Sequence, residues 1–96
     1  MWLLIDDERS FNVDVIARTA EAGMMLLGNH HWNCVMMDHD LGSETTGYDL
    51  IMWALKEARL PKKVQLVTMN SVGRDRMKAA LLSARYVQNG PNFILE

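Results

Sequence analysis

Two acidic clusters close short apolar runs: Asp6-Asp7-Glu8 follows Trp2-Leu3-Leu4-Ile5, and Asp38-His39-Asp40 follows Cys34-Val35-Met36-Met37. A third apolar run, Val64–Val67, stops at Thr68-Met69-Asn70. Runs of this length read as buried strands. Carboxylates that close separate strands of a parallel sheet meet at one edge, where α/β folds place their sites. Gathered carboxylates repel, and a hard cation such as Mg²⁺ (or Mn²⁺) is the usual reason to gather them. Asp7 and Asp38 are the expected direct ligands. Asp6 would bind directly or through water, and Asp40 would offer its side chain or backbone carbonyl. Together these residues predict a metal-assisted phosphate site.

Arg9 and Arg74 are the candidate phosphate anchors, because a planar guanidinium meets phosphate oxygens in bidentate fashion. Thr68 and Asn70 could donate to a phosphate oxygen, helped by backbone N–H groups at the start of the helix that follows. His39 is the candidate general acid or base, being the histidine that stands between expected ligands. Asp38 could instead act as a nucleophile. Plainer readings stand beside these: Asp6-Asp7 as a solvated strand end, the arginines as surface charge, and His39 as a sheet-edge residue bonded to a carboxylate.

The elements that must position these groups follow from periodicity. Trp2–Ile5 reads as a first strand and residues 11–18 as a second, with Val13, Val15 and Ala17 alternating with Asp14, Ile16 and Arg18. Thr19 is a good N-cap for a helix with Ala22, Met25 and Leu26 inward, ended by Gly28-Asn29. Residues 33–37 form a central strand. Residues 48–60 form a helix with Leu50, Ile51, Ala54, Leu55 and Ala58 on one face, stopped by Pro61. After the strand 64–67, Ser71 caps a helix with Met77, Ala80, Leu81 and Ala84 inward. Either Tyr86-Val87 or Phe93-Ile94-Leu95 supplies the last strand. The order β-β-α-β-α-β-α-β predicts a mostly parallel sheet. Too few residues separate the first two strands for a helical crossover, which needs about a dozen.

At 96 residues the chain is expected to form one domain, 1–96, with a single modest core. Nearly half the residues are apolar and the net charge is −2, which argues against disorder and against wholesale binding to nucleic-acid backbone or anionic membrane. The single cysteine, Cys34, lies in an apolar run and reads as a buried thiol of a reducing compartment. Without a signal peptide or membrane span, a cytoplasmic location is expected. The many methionines fall on core positions and read as packing. His30-His31 follows a helix end, where imidazolium favours the dipole.

With the strands placed, the chain resembles the receiver domain of response regulators. Asp6-Asp7 matches the metal-binding pair, Asp38 the phosphoacceptor and Thr68 the hydroxyl residue. It departs from an ordinary receiver in two ways: Gly90, not lysine, precedes Pro91, and the first helix is reduced or missing. Four runs resemble the narrower cyclic-phosphate-processing receiver family: Leu4 to Arg9, Asp38 to Gly42, Thr46 to Asp49, and Asn70 to Met77. That pattern has histidine where Val67 stands and proline where Ser71 stands. The resemblance implies an α/β, receiver-like (flavodoxin-like) three-layer sandwich with about five strands. It also implies Mg²⁺ and a cyclic-phosphate ligand, either an RNA 2′,3′-end of the kind met in repair and conflict systems or a cyclic nucleotide.

Two functions follow as expectations. One is a Mg²⁺-dependent phosphoesterase in which His39, Asp38 or an activated water opens the ring. The other is a non-catalytic module that binds a phosphorylated small molecule or regulates a protein partner. A true phosphoacceptor is disfavoured by the absent lysine. Met52 and Trp53, off the main stripe of their helix, could cover a protein partner or a second copy in a homodimer.

Overall fold

A computed structural model describes all residues, Met1–Glu96. The chain runs β1 (Trp2–Ile5), β2 (Val15–Ala17), α1 (Ala20–Asn29), β3 (Cys34–Met37), α2 (Gly47–Lys56), β4 (Lys63–Leu66), α3 (Ser71–Ser83), β5 (Val87–Asn89) and β6 (Asn92–Ile94). The six strands form one sheet in the order β2-β1-β3-β4-β6-β5. β1 lies parallel to both β2 and β3, and β3 parallel to β4. β6 is antiparallel to β4 and to β5.

The link from β1 to β2 is extended, and the expected second strand is shortened at its start. The cause lies in Asp14. Its carboxylate accepts from Trp2 N at 2.7 Å and its own N–H donates to Trp2 O at 3.1 Å, so β2 begins only at Val15. Arg18 reaches back to the carbonyls of Asp6 and Arg9 and to Ser10 Oγ, which ties the link down without a helix.

The two candidates for the last strand are both strands. They form a hairpin whose turn contains Gly90 at φ 61°, a conformation that glycine adopts without strain. β6 fills the position beside β4, and the sheet gains a sixth strand. Tyr86 precedes the hairpin and its hydroxyl donates to Pro61 O at 2.7 Å.

Helix ends also differ from expectation by local chemistry. Asn70, not Ser71, caps α3 by accepting from Gly73 N at 3.0 Å. α2 starts with a capping box between Thr46 and Asp49 and stops well before Pro61, because Ala58 turns left-handed at φ 55°. In α1 the inward face is Ala20, Gly23 and Leu27, while Met25 is exposed. Gly23 fits that face: a Cβ there would come 2.9 Å from Ile5 Cδ1, so any larger residue would make the Ile5 side chain shift. Trp53 is half-buried against the core and Met52 is exposed.

The receiver-like fold is the expected one, but not its three layers: all three helices pack into one core on one side of the sheet, and the β1–β2 link, being extended, supplies no helix for the other. A single core cluster joins Leu3, Ile5, Val35, Met37, Val64 and Leu66 to the inner faces of all three helices. Leu4, Cys34 and Met36 alternate with these, are buried, and stand outside that cluster. Burial pushes the Cys34 thiol up from its usual range, as expected of an inert core thiol.

Burial pushes the Tyr86 hydroxyl up to about 12 from 10. A group raised on folding adds stability below its unfolded pKa and loses it as pH rises through the folded one. Stability should therefore fall between pH 10 and 12, by roughly 3 kcal/mol at most. Tyr86→Phe should remove that slope, measured by urea unfolding across the range. Equal slopes for the two proteins would contradict the assignment.

Candidate functional site

Strand register builds the site. Ile5 pairs with Met37 and Met37 with Leu66, so the residues that follow these strands emerge at one sheet edge. The ladder continues one bond further: Asp38 N donates to Ile5 O and Val67 N to Met37 O, both at 3.0 Å. Asp6, Asp38 and Thr68 are thereby brought together, and all three are buried. They line an open cleft of about 290 Å³ with Asp7, Arg9, Asp40 and Asn70. Glu8 and Met69 also line it, and the sequence reading gave them no role.

Carboxylate oxygens of Asp6, Asp7 and Asp38 lie within 4.8 Å of one another. An all-oxygen donor set of this size fits a hard divalent cation such as Mg²⁺ or Mn²⁺. Gly42, at φ 72°, brings the following loop over Asp7: a Cβ there would lie 3.3 Å from Asp7 Oδ2. Arg9 faces the same carboxylates. Its Nε donates to Asp6 Oδ2 at 2.8 Å, and its Nη2 lies 3.6 Å from Asp38 Oδ1.

The two buried acids answer this environment oppositely. Burial pushes Asp6 up, but N–H groups of Arg9 and Glu8, both 2.9 Å from Oδ1, and the Arg9 guanidinium hold it below the usual carboxylate range. Asp38 stays above that range: burial raises it, repulsion from Asp6 adds to this, and hydrogen bonds from Thr68 and His39 N only partly offset them. A carboxylate that resists ionisation beside a second carboxylate is relieved by a cation.

Asp40 is set apart from the three clustered acids. Its carboxylate is exposed and takes bonds from His39 Nδ1 at 3.1 Å and Asn70 Nδ2 at 3.2 Å, which hold it below the usual range. Asn70 is engaged at both ends, since its Oδ1 caps α3. Thr68 Oγ1 accepts from Asn70 N at 3.1 Å and so shapes the same turn.

His39 and Arg74 do not line the cleft. The His39 ring packs on Gly73, where a Cβ would come 2.3 Å from its Cγ. With Nδ1 on Asp40, its Nε2 is buried without a partner. The glycine at 73 thus makes room for this imidazole and not for a phosphate. Gly47 has a matching role that the sequence reading missed: a Cβ there would lie 2.0 Å from Asp38 O, so glycine lets α2 start against the strand end that carries Asp38. A glycine directly after a Thr N-cap was the available signal. Arg74 donates to the Thr68 carbonyl and lines a neighbouring cavity.

Residues 1–83 match the sequence model of the cyclic-phosphate processing receiver domain. No match was found among curated proteins. Among solved structures, one similar chain is described as the yeast Spc42 trimeric coiled-coil, amino acids 181–211, fused to another structure. It is 19% identical with a TM-score of 0.65, over 82% of this chain and 62% of that one, which bears on fold alone. No helix is long and apolar enough to cross a membrane.

Protons compete with a cation for Asp38, whose raised carboxyl holds its proton to higher pH than an ordinary aspartate. Mg²⁺ affinity should therefore fall on acidification above the normal aspartate range, and Asp38→Asn should weaken it about tenfold or more. Titration calorimetry at several pH values checks both. Unchanged affinity in the variant would contradict the site.

Proposed function

The chain belongs to the cyclic-phosphate processing receiver family, and we propose that its acidic cleft binds a divalent cation and, with it, a cyclic phosphate that it opens to a monoester. The observation that carries this is the convergence of three carboxylates within 4.8 Å beside one arginine fork. A cation bound there would polarise the phosphoryl oxygens and neutralise charge as it develops.

The residues supply the rest. Asp6 and Asp7 hold the acidic wall, and Asp6 orients Arg9 through Nε. The far side of the Arg9 fork meets a non-bridging phosphate oxygen, a charge-assisted contact that strengthens as the transition state gains charge. Water attacks phosphorus, the bond to one ribose oxygen breaks, and the proton lost by water is replaced on that oxygen. Asp38, on the cleft wall, is placed to relay the water's proton to that leaving oxygen through the carboxylate oxygen that a cation leaves free.

One observation favours a second reading, binding without turnover. The His39 imidazole faces Gly73, and Val67 stands where the family pattern has histidine, so no imidazole lines the cleft. In that case the domain would sequester a phosphorylated ligand or report it to a protein partner.

³¹P NMR of a 2′,3′-cyclic-phosphate-ended oligonucleotide with protein and Mg²⁺ separates the readings. Turnover predicts conversion to a monoester that requires Mg²⁺ and is lost in Asp38→Asn. An unchanged cyclic phosphate whose resonance broadens only with wild-type protein would favour the binder. An unperturbed spectrum would contradict both.

A further inference from the structure

A second cavity, of about 280 Å³, lies at the same sheet edge on the other side of β4 from β3. α3 supplies Arg74 and Lys78, one turn apart, β5 supplies Gln88, and Leu66 and Phe93 contribute its apolar wall. Asp75 also lines it but pairs with neither cation: the chain's ion pairs are Arg9 with Asp6, Arg9 with Asp38, and His39 with Asp40. Two cations therefore share a concave site without a carboxylate partner, and Lys78 is half-buried there.

The cavity is joined to the acidic cleft through a single carbonyl. Arg74 donates one hydrogen bond to Thr68 O, and Thr68 lines the cleft. That bond points the guanidinium along the sheet edge and leaves its other donors without a protein acceptor. A guanidinium fork, an ammonium one helical turn away and a side-chain amide suit an anion with several oxygens. The apolar wall of Leu66 and Phe93 suits the ribose or base beside it.

We propose that this cavity holds the phosphodiester preceding the terminal cyclic phosphate, so that the ligand is an oligonucleotide end and not a free nucleoside cyclic phosphate. The inference rests on the reading of the acidic cleft as the cyclic-phosphate site and names the substrate class for it. Arg74 is then a phosphate contact, as its residue type suggests, but to the second phosphate and in company with Lys78. The near-neutral chain needs no general basic surface for this, because two local cations serve one phosphate.

The test compares a dinucleotide ending in a 2′,3′-cyclic phosphate with the matching nucleoside 2′,3′-cyclic monophosphate, in Mg²⁺, by Kd or, where the ring is opened, by KM. Wild-type protein should prefer the dinucleotide by about tenfold, with the preference shrinking as salt is raised. Lys78→Glu should abolish the preference and leave the mononucleotide within about twofold, and Lys78→Gln should do so in part. Lys78 makes no contact with the acidic cleft, so these variants leave its lining intact. Equal wild-type affinities, or an equal loss for both ligands in Lys78→Glu, would overturn this subsite alone. Binding of neither ligand by wild-type protein would overturn the cleft reading as well.

Discussion

Two carboxylates held side by side at a partly dry sheet edge are the constraint on which the rest of the structure depends. Parallel pairing of β1 with β3 leaves Asp6 and Asp38 no alternative to proximity, since each follows a strand whose last residues are paired. At separations within 4.8 Å, two such charges repel by about 3.5 kcal/mol or more at an effective dielectric of about 20. The chain answers with Arg9, three residues after Asp6, whose fork spans both acids. It also answers with backbone N–H groups on Asp6, which let that residue ionise and leave the strain on Asp38. The third acid, Asp7, is half-exposed and adds charge without relief. An arrangement that concentrates cost in this way has its natural resolution in a divalent cation.

The helices serve the same edge. α2 and α3 both begin there, and each has in its first turn a glycine where a side chain would collide: Gly47 against the Asp38 carbonyl and Gly73 against the His39 ring. The two helix starts thereby clamp the residues on either side of the Asp38–His39 peptide. Thr68 and Asn70 complete the wall, one buried and lining the cleft with Asp38, the other fixing both the α3 cap and Asp40. Rigidity of this kind places charged groups without relying on loop order, as a site for a small, highly charged ligand requires.

Much of this was legible in the sequence because its signals are local. Apolar runs ended by acids gave the central strands, and strand ends gave the acidic cluster. Thr19 marked a helix start by its side-chain oxygen, whereas the cap at Thr46 went unread and α2 was expected from residue 48. What the sequence concealed is non-local. The face of α1 has Gly23 meeting Ile5, a contact between elements that periodicity does not report. The terminal hairpin was hidden because its two halves competed for a single expected strand, whereas the edge beside β4 had room for both. The orientation of His39 depends on Gly73, more than thirty positions along, and on Asp40 next door, so its residue type suggested a chemistry that its packing turns away from the cleft. Lys78 carried no signal in the sequence, because the cavity it lines is closed by the hairpin.

The cation is the central claim, and diffraction from crystals soaked in Mn²⁺ tests it most directly. The account predicts an anomalous difference peak within coordination distance of the Asp7 and Asp38 carboxylates, with the Arg9 fork displaced from Asp38. An empty cleft at saturating Mn²⁺, with Arg9 still spanning Asp6 and Asp38, would contradict it.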